Sequence, residues 1–505
     1  MIRCKKKYMP LSEQQIIRRK KLDQLKKIGI NPYPSEEYIT TITISGIYDN
    51  FIDKKIVSIA GRLMRLRILG KASFGELKDH TGRIQIYMNK SCLSMDNIEK
   101  KYVYDIFLKK LLDIGDIIGI KGFLFRTKVN EITIYVEKLS LLSKSIRPLP
   151  QVKKDKKNIY DSFSDVEQRY RMRYVDLIVN DKVKNIFIKR TRIIQCIRNF
   201  LDKKGYLEVD TPVLHPIPGG AVARPFITYH NTLKIPLYLR IANELYLKRL
   251  VVGGFHGVYE FSRNFRNEGM DRFHNPEFTV LELYVAYKDY YWMMDFTEKL
   301  IKHMFIKFIY NNKDYSTFFK NSFSRISILD SIKNYTGFDI KEMDKNDLIN
   351  VCKKLQIEKY NNKTSKSKII ENIFEEKCIK NYINPTFITD YPVEMSPLTK
   401  KHRDDNKLSE RFELIINGQE IANAYSELND PIDQLKRLQK KINLLKNDNT
   451  NENTVLIDKD FIRALEFGMP PTAGIGIGID RLVMLLTKNK SIQDVLFFPQ
   501  MRPKK

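Results

Sequence analysis

Cysteine is scarce in this sequence, and its few positions are scattered. The 505 residues include five cysteines, an odd number, and no two of them form a Cys-x-x-Cys pair. A disulfide framework needs paired cysteines and a zinc ribbon needs closely spaced ones, so the sequence argues against both. We therefore expect free thiols in a reducing cytoplasm. The cysteines are Cys4, Cys92, Cys196, Cys352 and Cys378.

Long apolar runs are also missing. No stretch approaches the roughly 18 consecutive apolar residues that a membrane-spanning helix needs. The first residues, Met1–Lys7, are basic, whereas a secretory signal carries an apolar segment behind its basic start. The sequence predicts no membrane partner.

Acidic residues are few compared with basic ones. The chain has 60 Asp and Glu against 88 Lys and Arg, which gives a net charge of +28 at pH 7. A field of this sign attracts a polyanion, which means nucleic acid, an acidic membrane surface or a nucleotide. An AT-rich genome also raises the lysine content without any functional demand. Local motifs must therefore decide whether nucleic acid is a partner.

The first part of the chain has the pattern of a small barrel. Residues 11–28 place apolar side chains at helical spacing behind Ser12, which predicts a capped amphipathic helix ending at Gly29. Five runs rich in β-branched and aromatic residues follow, with a helical stretch at about 95–112 after the third. This order is typical of an OB-fold, whose strand face binds single-stranded nucleic acid. The expected strands are Ile56–Ile68, Ser73–Asp79, Arg83–Met88, Ile117–Arg126 and Ile132–Leu139.

The rest of the chain predicts a second, larger domain. Helices and strands alternate there without a repeated β-α-β order, which indicates an antiparallel sheet flanked by helices and an α+β fold class. The expected divisions are an N-terminal helix and OB-fold barrel over 1–145, a linker over 146–178 and a catalytic domain over 179–505, with a helical insert at about 310–385.

A charged loop, Phe265-Arg-Asn-Glu-Gly, joins two expected strands. It places Arg266 at the tip of an antiparallel hairpin, where the planar guanidinium can hold a phosphate and a carboxylate together. Glu268 can accept hydrogen bonds and His274 can reach a phosphate. The ring of Phe278 can stack on a base. A surface hairpin with a salt-bridged tip remains the alternative for this motif alone.

Near the C-terminus, Gly474, Gly476 and Gly478 alternate with isoleucine. A period of two predicts a strand whose glycines share one face, while the isoleucines face the core. The spacing differs from the dinucleotide-binding fingerprint, and the Gly-Lys-Ser/Thr of a P-loop is absent. A bare strand face lets a flat ring approach the backbone, and Arg481 just beyond can stack over that ring.

These two motifs follow a third, Gly205-Tyr-Leu-Glu-Val-Asp-Thr-Pro. Their order resembles that of the three signature motifs of class II aminoacyl-tRNA synthetases, and the resemblance covers nearly the whole chain, barrel included. Longer matches point to the lysine-specific bacterial branch of that family. They are Phe265-Arg-Asn-Glu-Gly, His274-Asn-Pro-Glu-Phe, Pro218-Gly-Gly-Ala, Arg240-Ile-Ala-Asn-Glu-Leu-Tyr-Leu-Lys-Arg, Ser426-Glu-Leu-Asn-Asp and Pro471-Thr-Ala-Gly.

The resemblance implies a ligase that activates L-lysine with ATP and transfers it to tRNA(Lys). Arg266 and Arg481 would be catalytic, since both would neutralise phosphate charge. The implied ATP-binding residues are Arg266, Glu268, His274, Phe278, Gly478 and Arg481. The implied lysine-binding residues are Gly220 and Glu244 for the α-amino group, Arg266 and Asn423 for the carboxylate, and Glu282, Tyr284, Tyr425 and Glu427 for the side chain.

Three glutamates follow one another at intervals of seven residues: Glu413, Glu420 and Glu427. Asn417-Gly418 predicts a hairpin turn between the first two, so that Glu413 and Glu420 face each other across two strands. Hard carboxylate oxygens in that arrangement suit Mg²⁺. From the residues alone, an exposed polar strand face is the alternative. The resemblance implies that Glu413 and Glu420 bind Mg²⁺.

The barrel carries a second set of implied contacts. Arg67, Phe74, Gln85 and Glu131 match positions that read the anticodon in the lysine-specific branch. The chemistry agrees, because a phenyl ring stacks on an unpaired base while Gln and Arg bond to its edge. A core position remains the alternative for Phe74.

Three other functions remain as alternatives. An aspartate- or asparagine-specific enzyme is the closest, but an aspartate site would need a cation where Tyr284 and Glu427 offer a phenol and a carboxylate. A relative that lysylates proteins usually lacks the barrel. A non-enzymatic nucleic-acid binder has no need of Arg266 and Arg481 together. Relatives usually dimerise through the segment around Pro212, so a homodimer is expected.

Overall fold

The computed structural model of the chain divides into two compact units, Met1–Asp165 and Val166–Lys505. Cys92, Cys196, Cys352 and Cys378 are free thiols, and Cys4 lies outside the described residues. Within those residues, no helix is both long and apolar enough to cross a membrane. The structure describes residues 11–96, 98–150, 153–154, 159–160, 163–221, 223–309, 321–360, 364–447 and 457–503.

The first unit begins with helix α1 (Glu13–Lys27). The side chain of Ser12 accepts a hydrogen bond from the backbone N–H of Gln15, and the Gln15 side chain bonds back, which completes a capping box. Gly29 follows the helix in the left-handed region at φ +80°. The predicted capped helix is therefore confirmed. Arg18 fixes it to the barrel by donating to the carbonyl oxygen of Ile114 at 2.9 Å.

Five strands close into a barrel in the order β1-β2-β3-β5-β4, with β3 and β5 parallel and the other pairs antiparallel. Their inward side chains form one apolar core, and the predicted OB-fold is confirmed. The strands are β1 (Ile56–Leu69), β2 (Ala72–Lys78), β3 (Arg83–Asn89), β4 (Ile117–Arg126) and β5 (Ile132–Ser143). Helix α2 (Ile44–Asp49) precedes β1, and α3 (Lys100–Tyr102) with the π-helical Val103–Leu111 precedes β4. Two short strands, β6 (Lys153–Lys154) and β7 (Ile159–Tyr160), follow the barrel.

The second unit is built on an eight-stranded sheet of order β14-β15-β16-β17-β18-β13-β12-β8. Only the edge pairs β14–β15 and β12–β8 are parallel, so the predicted antiparallel sheet flanked by helices is confirmed. The strands are β8 (Leu207–Glu208), β12 (Gly257–Phe265), β13 (Glu277–Ala286), β14 (Ser324–Ser327), β15 (Thr386–Thr389), β16 (Arg411–Ile416), β17 (Gln419–Ser426) and β18 (Thr472–Gly478). A smaller sheet contains β9 (Leu214–His215), β10 (Ile227–His230) and β11 (Ile235–Leu239).

Helices cover one face of the large sheet. Leu281, Leu283, Ile475 and Ile477 point from β13 and β18 into the main core against helices α6, α8 and α14. The residues between them point to the other face, where the candidate site lies. The helices are α4 (Val166–Arg171), α5 (Arg173–Val179), α6 (Asp181–Asp202), α7 (Glu244–Val252), α8 (Tyr290–Ile309), α9 (Ile328–Thr336), α10 (Lys345–Lys354), α11 (Lys366–Ile373), α12 (Pro431–Asn447), α13 (Lys459–Glu466), α14 (Ile479–Thr487) and α15 (Ile492–Val495).

Helices lie in two stretches of the expected domain organisation, the linker and the insert. Helices α4 and α5 fall within the stretch expected as a linker. Helices α9 to α11 form a separate core between β14 and β15, in the stretch expected as a helical insert. Part of that stretch, residues 310–320 and 361–363, lies outside the described residues.

Candidate active site

A cavity of about 390 Å³ opens on the face of the large sheet that the core helices leave uncovered. The strands β12, β13, β17 and β18 supply its floor, and α7 and α14 supply its ends. Many residues singled out in the sequence line it together. They are Gly220, Glu244, Arg266, Glu268, His274, Phe278, Glu282, Tyr284, Glu420, Asn423, Tyr425, Gly478 and Arg481. Glu413 and Glu427 do not line it.

Arg266 stands at the first position of the loop between β12 and β13. Its backbone N–H donates to the carbonyl oxygen of Pro276 at 2.8 Å, which closes the hairpin. The guanidinium lies 5.1 Å from the ring centre of Phe278, so one face of that ring is already covered. The buried Nε has no hydrogen-bond partner within the described chain. Because an unpaired buried donor is costly, Arg266 is suited to bind an anion in the cavity.

A chain of hydrogen bonds links the same loop to α14 and β17. Nδ1 of His274 lies 2.8 Å from Oδ2 of Asp271, and Nη2 of Arg481 lies 3.1 Å from Nε2 of His274. Arginine can only donate, so Nε2 accepts and the ring proton is on Nδ1. Nη1 of Arg481 donates to the carbonyl oxygen of Glu420 at 2.9 Å and lies 3.1 Å from its Oε2.

The glycines of β18 share one face, as their alternation predicts, but they differ in surroundings. A Cβ on Gly474 would collide with Oε1 of Glu427 and the ring of Tyr284. A Cβ on Gly476 or Gly478 would meet nothing closer than 3.9 and 3.8 Å, respectively. The open part of the face is therefore at Gly476 and Gly478, while Gly474 lets an acidic side chain approach the strand.

Three buried carboxyl groups gather at the Gly474 end. The hydroxyl of Tyr284 donates to Oε2 of Glu282 at 3.0 Å. Lys248 lies between the other two, with Nζ 2.6 Å from Oε1 of Glu244 and in contact with Oε2 of Glu427. Sequence reasoning missed Lys248, although its spacing of four residues from Glu244 on a helix predicts an ion pair.

Burial and like charge perturb these groups. Burial, followed by the charge of Glu244, raises the pKa of Glu282 to about 8. Burial also raises the pKa of Glu427, and the nearby Lys248 opposes that shift. A strongly perturbed pKa at a residue that lines a cleft, as at Glu282, is typical of a functional site.

The cross-strand pairing predicted for Glu413 and Glu420 is wrong in register. The turn at Asn417 and Gly418 is present, with φ values of +53° and +68°. The two-residue turn pairs Ile416 with Gln419 and Ile415 with Glu420, so Glu413 cannot face Glu420. A bulge beyond these pairs then sets Glu413 opposite Asn423 rather than Ala422. The extra residue in β17 shifts the facing positions by one.

Glu413 is held beneath the cavity by Arg411, whose Nη2 donates to it at 2.5 Å. Burial and the charge of Glu420 nevertheless raise the pKa of Glu413 to about 7. The two carboxylates therefore repel each other, and a divalent cation between them would relieve that repulsion. Within the described residues no group of three or more His, Cys, Asp and Glu is placed to hold a metal ion.

In the first unit, the four barrel residues lie on the outer side of the strands. Arg67 pairs with Phe74 across β1 and β2, and the ring of Phe74 lies 5.0 Å from that of Tyr87. Phe74 is half-buried and is not part of the barrel core. Gln85 donates to Oε2 of Glu131 at 2.8 Å. Sequence reasoning missed the aromatic neighbours on this face, Tyr87, Phe123 and Tyr135.

The chain matches two family models. Residues 165–502 match one described as tRNA synthetases class II (D, K and N). Residues 57–142 match one described as an OB-fold nucleic acid binding domain.

The chain is also similar to bacterial proteins over almost its full length. It is 58% identical to a lysine–tRNA ligase of Azobacteroides pseudotrichonymphae over 98% of this chain and 99% of that protein. It is 56% identical to a lysine–tRNA ligase of Christiangramia forsetii over 99% of this chain and 88% of the relative. A lysine–tRNA ligase of Porphyromonas gingivalis is 55% identical over 98% of this chain and 87% of that protein. The family match over residues 165–502 and these relatives show that the chain belongs to the class II aminoacyl-tRNA synthetases, whose second and third signature motifs line the cavity.

Proposed function

We propose that this chain is a lysine–tRNA ligase, which activates L-lysine with ATP and transfers it to the 3′ end of tRNA(Lys). One observation supports this proposal most strongly. The same cavity is lined by Arg266, whose buried Nε has no hydrogen-bond partner among the described residues, and by buried carboxyl groups. A free amino acid needs a cation for its carboxylate, and lysine also needs anions for two ammonium groups. The relatives named above carry the same activity in their names.

The acidic end of the cavity would select the side chain. Glu282, Tyr284, Tyr425 and Glu427 offer carboxyl and phenol oxygens, which suit an ammonium group. An aspartate site needs an unpaired cation there, whereas Lys248 is already in contact with two carboxylates. This contact argues against aspartate as the substrate.

The remaining groups of the amino acid would be held at the middle of the cavity. Glu244 would bind the α-ammonium group beside Gly220, whose φ of +85° suits glycine. Arg266 and Asn423 would hold the carboxylate. These contacts would bring that carboxylate next to the proposed site of the ATP phosphates.

ATP would lie between the hairpin loop and β18. Its flat adenine ring would rest on the open strand face at Gly478 and against Phe278. Arg266, His274 and Arg481 would contact phosphate oxygens, and Glu268 would accept hydrogen bonds at the rim. Arg481 would then exchange its present partner His274 for phosphate.

Glu413 and Glu420 fit Mg²⁺, because both offer hard carboxylate oxygens and their mutual repulsion favours a cation. When bound, the ion would neutralise phosphate charge.

The first reaction would need no covalent protein intermediate. The lysine carboxylate attacks the α-phosphorus of ATP in line, the bond to the β,γ-phosphates breaks, and lysyl-adenylate and pyrophosphate form. Arg266 positions the carboxylate against the phosphorus, and Arg266 and Arg481 stabilise the developing charge. In the second step a hydroxyl of the terminal tRNA ribose attacks the lysyl carbonyl carbon, and AMP leaves.

The first unit would bind the anticodon. Arg67, Phe74, Gln85 and Glu131 share the outer face of the barrel, where aromatic rings can stack on unpaired bases. We assign this role to residues 1–145, with 146–178 as the linker and 179–505 as the catalytic domain containing the insert at about 310–385. We place the reaction in the cytoplasm.

A homodimer is also part of the proposal. Val213 and Leu214 next to Pro212 are 40% and 46% exposed in the single chain. Adjacent apolar side chains in such a position favour a protein interface.

Charging of bulk tRNA tests the proposed function. The enzyme, ATP and Mg²⁺ are incubated with labelled lysine, and the charged tRNA is then identified by sequencing. We expect lysine on tRNA with a lysine anticodon, and none when labelled aspartate or asparagine replaces it. Charging with either of these, or on other tRNAs, would contradict the proposal.

A further inference from the structure

Lys248 lies behind the acidic end of the cavity, one helical turn after Glu244 on α7. Its side chain is fully buried, and it joins Glu244 to Glu427, which follows β17. Neither Lys248 nor Glu427 lines the cavity. Lys248 therefore connects carboxyl groups from two elements without itself facing the substrate.

The surroundings of Lys248 keep it charged. Its Nζ lies 5.7 Å from the ring centre of Tyr425 and 5.9 Å from that of Phe461. Burial alone would lower its pKa, but the charges of Glu244 and Glu427 outweigh burial and the pKa is raised. Lys248 is thus a permanent cation in this part of the protein.

At the acidic end of the cavity, buried carboxyl groups outnumber the ammonium groups that contact them. Glu244, Glu282 and Glu427 supply three buried carboxyl groups, and the ammonium group of Lys248 contacts two of them, Glu244 and Glu427. Lys441 acts on Glu244 at longer range, and the described residues show no ion pair between the two. One contacting cation against three carboxyl groups leaves two of them uncompensated.

Free lysine brings two ammonium groups, and its carboxylate is left for Arg266. The two uncompensated carboxyl groups match those two ammonium groups. Without Lys248 a third carboxylate would stay buried without a partner, and it would then take up a proton or move. The acidic end would lose the geometry that favours an ammonium over a methyl group.

We propose that Lys248 is a specificity-determining positioning residue, which holds Glu244 and Glu427 in place and, in the complex with lysine, balances one of the three carboxylate charges. The site then matches a substrate with two ammonium groups. This inference rests on the lysine specificity proposed above.

The test compares lysine with norleucine, which has the same four-carbon side chain but lacks the terminal ammonium group. Lys248→Met keeps the length and apolar stem of the side chain. ATP–pyrophosphate exchange gives kcat/KM for each amino acid. We expect the lysine-to-norleucine ratio to fall roughly tenfold or more, while the KM for ATP stays within about twofold. A structural defect would weaken both amino acids equally, so an unchanged or higher ratio would overturn the proposal.

A second variant separates the charge of Lys248 from the packing of its side chain. Lys248→Arg keeps a cation that can bond to both Glu244 and Glu427. We expect it to recover a lysine-to-norleucine ratio several-fold above that of Lys248→Met. A Lys248→Arg variant that is as thermally stable as Lys248→Met but discriminates no better would overturn the role of the Lys248 charge. Exchange of the unmodified enzyme with another amino acid would instead overturn the proposed function, and this inference with it.

Discussion

At the scale of single residues, Arg266 carries the reaction that we propose. Its buried Nε lacks a partner in the described chain, so its bonds are available to the carboxylate and the phosphate. Arg266→Ala should lower lysine-dependent ATP–pyrophosphate exchange by about 10²–10³-fold, as loss of one stabilising donor does elsewhere.

Arg263→Ala is the matched control for that variant. Arg263 lies three residues earlier, on β12, and forms an exposed ion pair with Glu277 at 3.1 Å. Exposed ion pairs contribute little to stability, so pyrophosphate exchange by Arg263→Ala should stay within about twofold of that of the unmodified enzyme. Near-normal exchange by Arg266→Ala, or equal damage in the two variants, would refute the role of Arg266.

The raised pKa of Glu282 predicts pH-dependent binding of lysine. With a pKa of about 8, this carboxyl group is mostly protonated at pH 7 in the free protein, whereas a bound ammonium group favours the carboxylate. Affinity for lysine should therefore rise between pH 6 and about 8, with up to one proton released for each lysine bound. Calorimetry in buffers of different ionisation enthalpy measures both quantities. An affinity independent of pH, without proton release, would contradict this prediction.

The same shift has a consequence for stability. A carboxyl group whose pKa is raised on folding loses its stabilising contribution as pH rises through the folded pKa, here about 8. Glu282→Gln removes this loss. At pH 9 and without lysine, the variant should therefore melt on the order of 2 °C above the unmodified protein. Equal melting temperatures at pH 9 would mean that folding does not raise the pKa of Glu282.

Single residues also mark the limit of what the sequence predicts. Arg266, Glu282 and Arg481 lie in motifs long enough to identify, and the structure brings them into one cavity. Lys248 was missed, because a lysine four residues after a glutamate on a helix usually forms a solvated pair. Only the fold shows that Glu427 approaches the same ammonium from β17.

At the scale of elements, alternation predicts strands well and register poorly. The period of two in β18 predicts which side chains enter the core, and Ile475 and Ile477 are buried accordingly. The bulge in β17 has no comparable signal, yet it decides that Glu413 faces Asn423 rather than Ala422. A single inserted residue exchanges the facing partners of all positions beyond it.

The position of Phe74 on the outer face of β2 predicts a role in tRNA binding and none in lysine activation. Phe74 is half-buried beside Tyr87 and outside the barrel core, so Phe74→Ala should leave the fold intact. Loss of one stacking contact should raise the KM for tRNA roughly tenfold, with lysine-dependent pyrophosphate exchange unchanged.

Tyr33→Ala is the control, because Tyr33 is an exposed aromatic residue of the same unit outside the barrel strands. It should leave the KM for tRNA unchanged. Equal loss of exchange and charging in Phe74→Ala would mean that Phe74 is structural.

At the scale of the whole molecule, two compact units have separate cores. Each unit matches its own family model. The first matches the OB-fold nucleic acid binding domain, and the second matches the class II tRNA synthetases. Family membership was predictable from the sequence because three motifs occur in one order along the chain. The net charge of +28 agrees with a tRNA partner, but it was not specific enough to predict one.

The proposed function of the whole molecule depends on activation of lysine by this chain. The decisive measurement is ATP–pyrophosphate exchange with each of the twenty amino acids offered singly, in Mg²⁺ and without tRNA. We expect exchange with lysine and only background exchange with aspartate, asparagine and the others. Exchange with a different amino acid, or none with lysine, would contradict the proposed function.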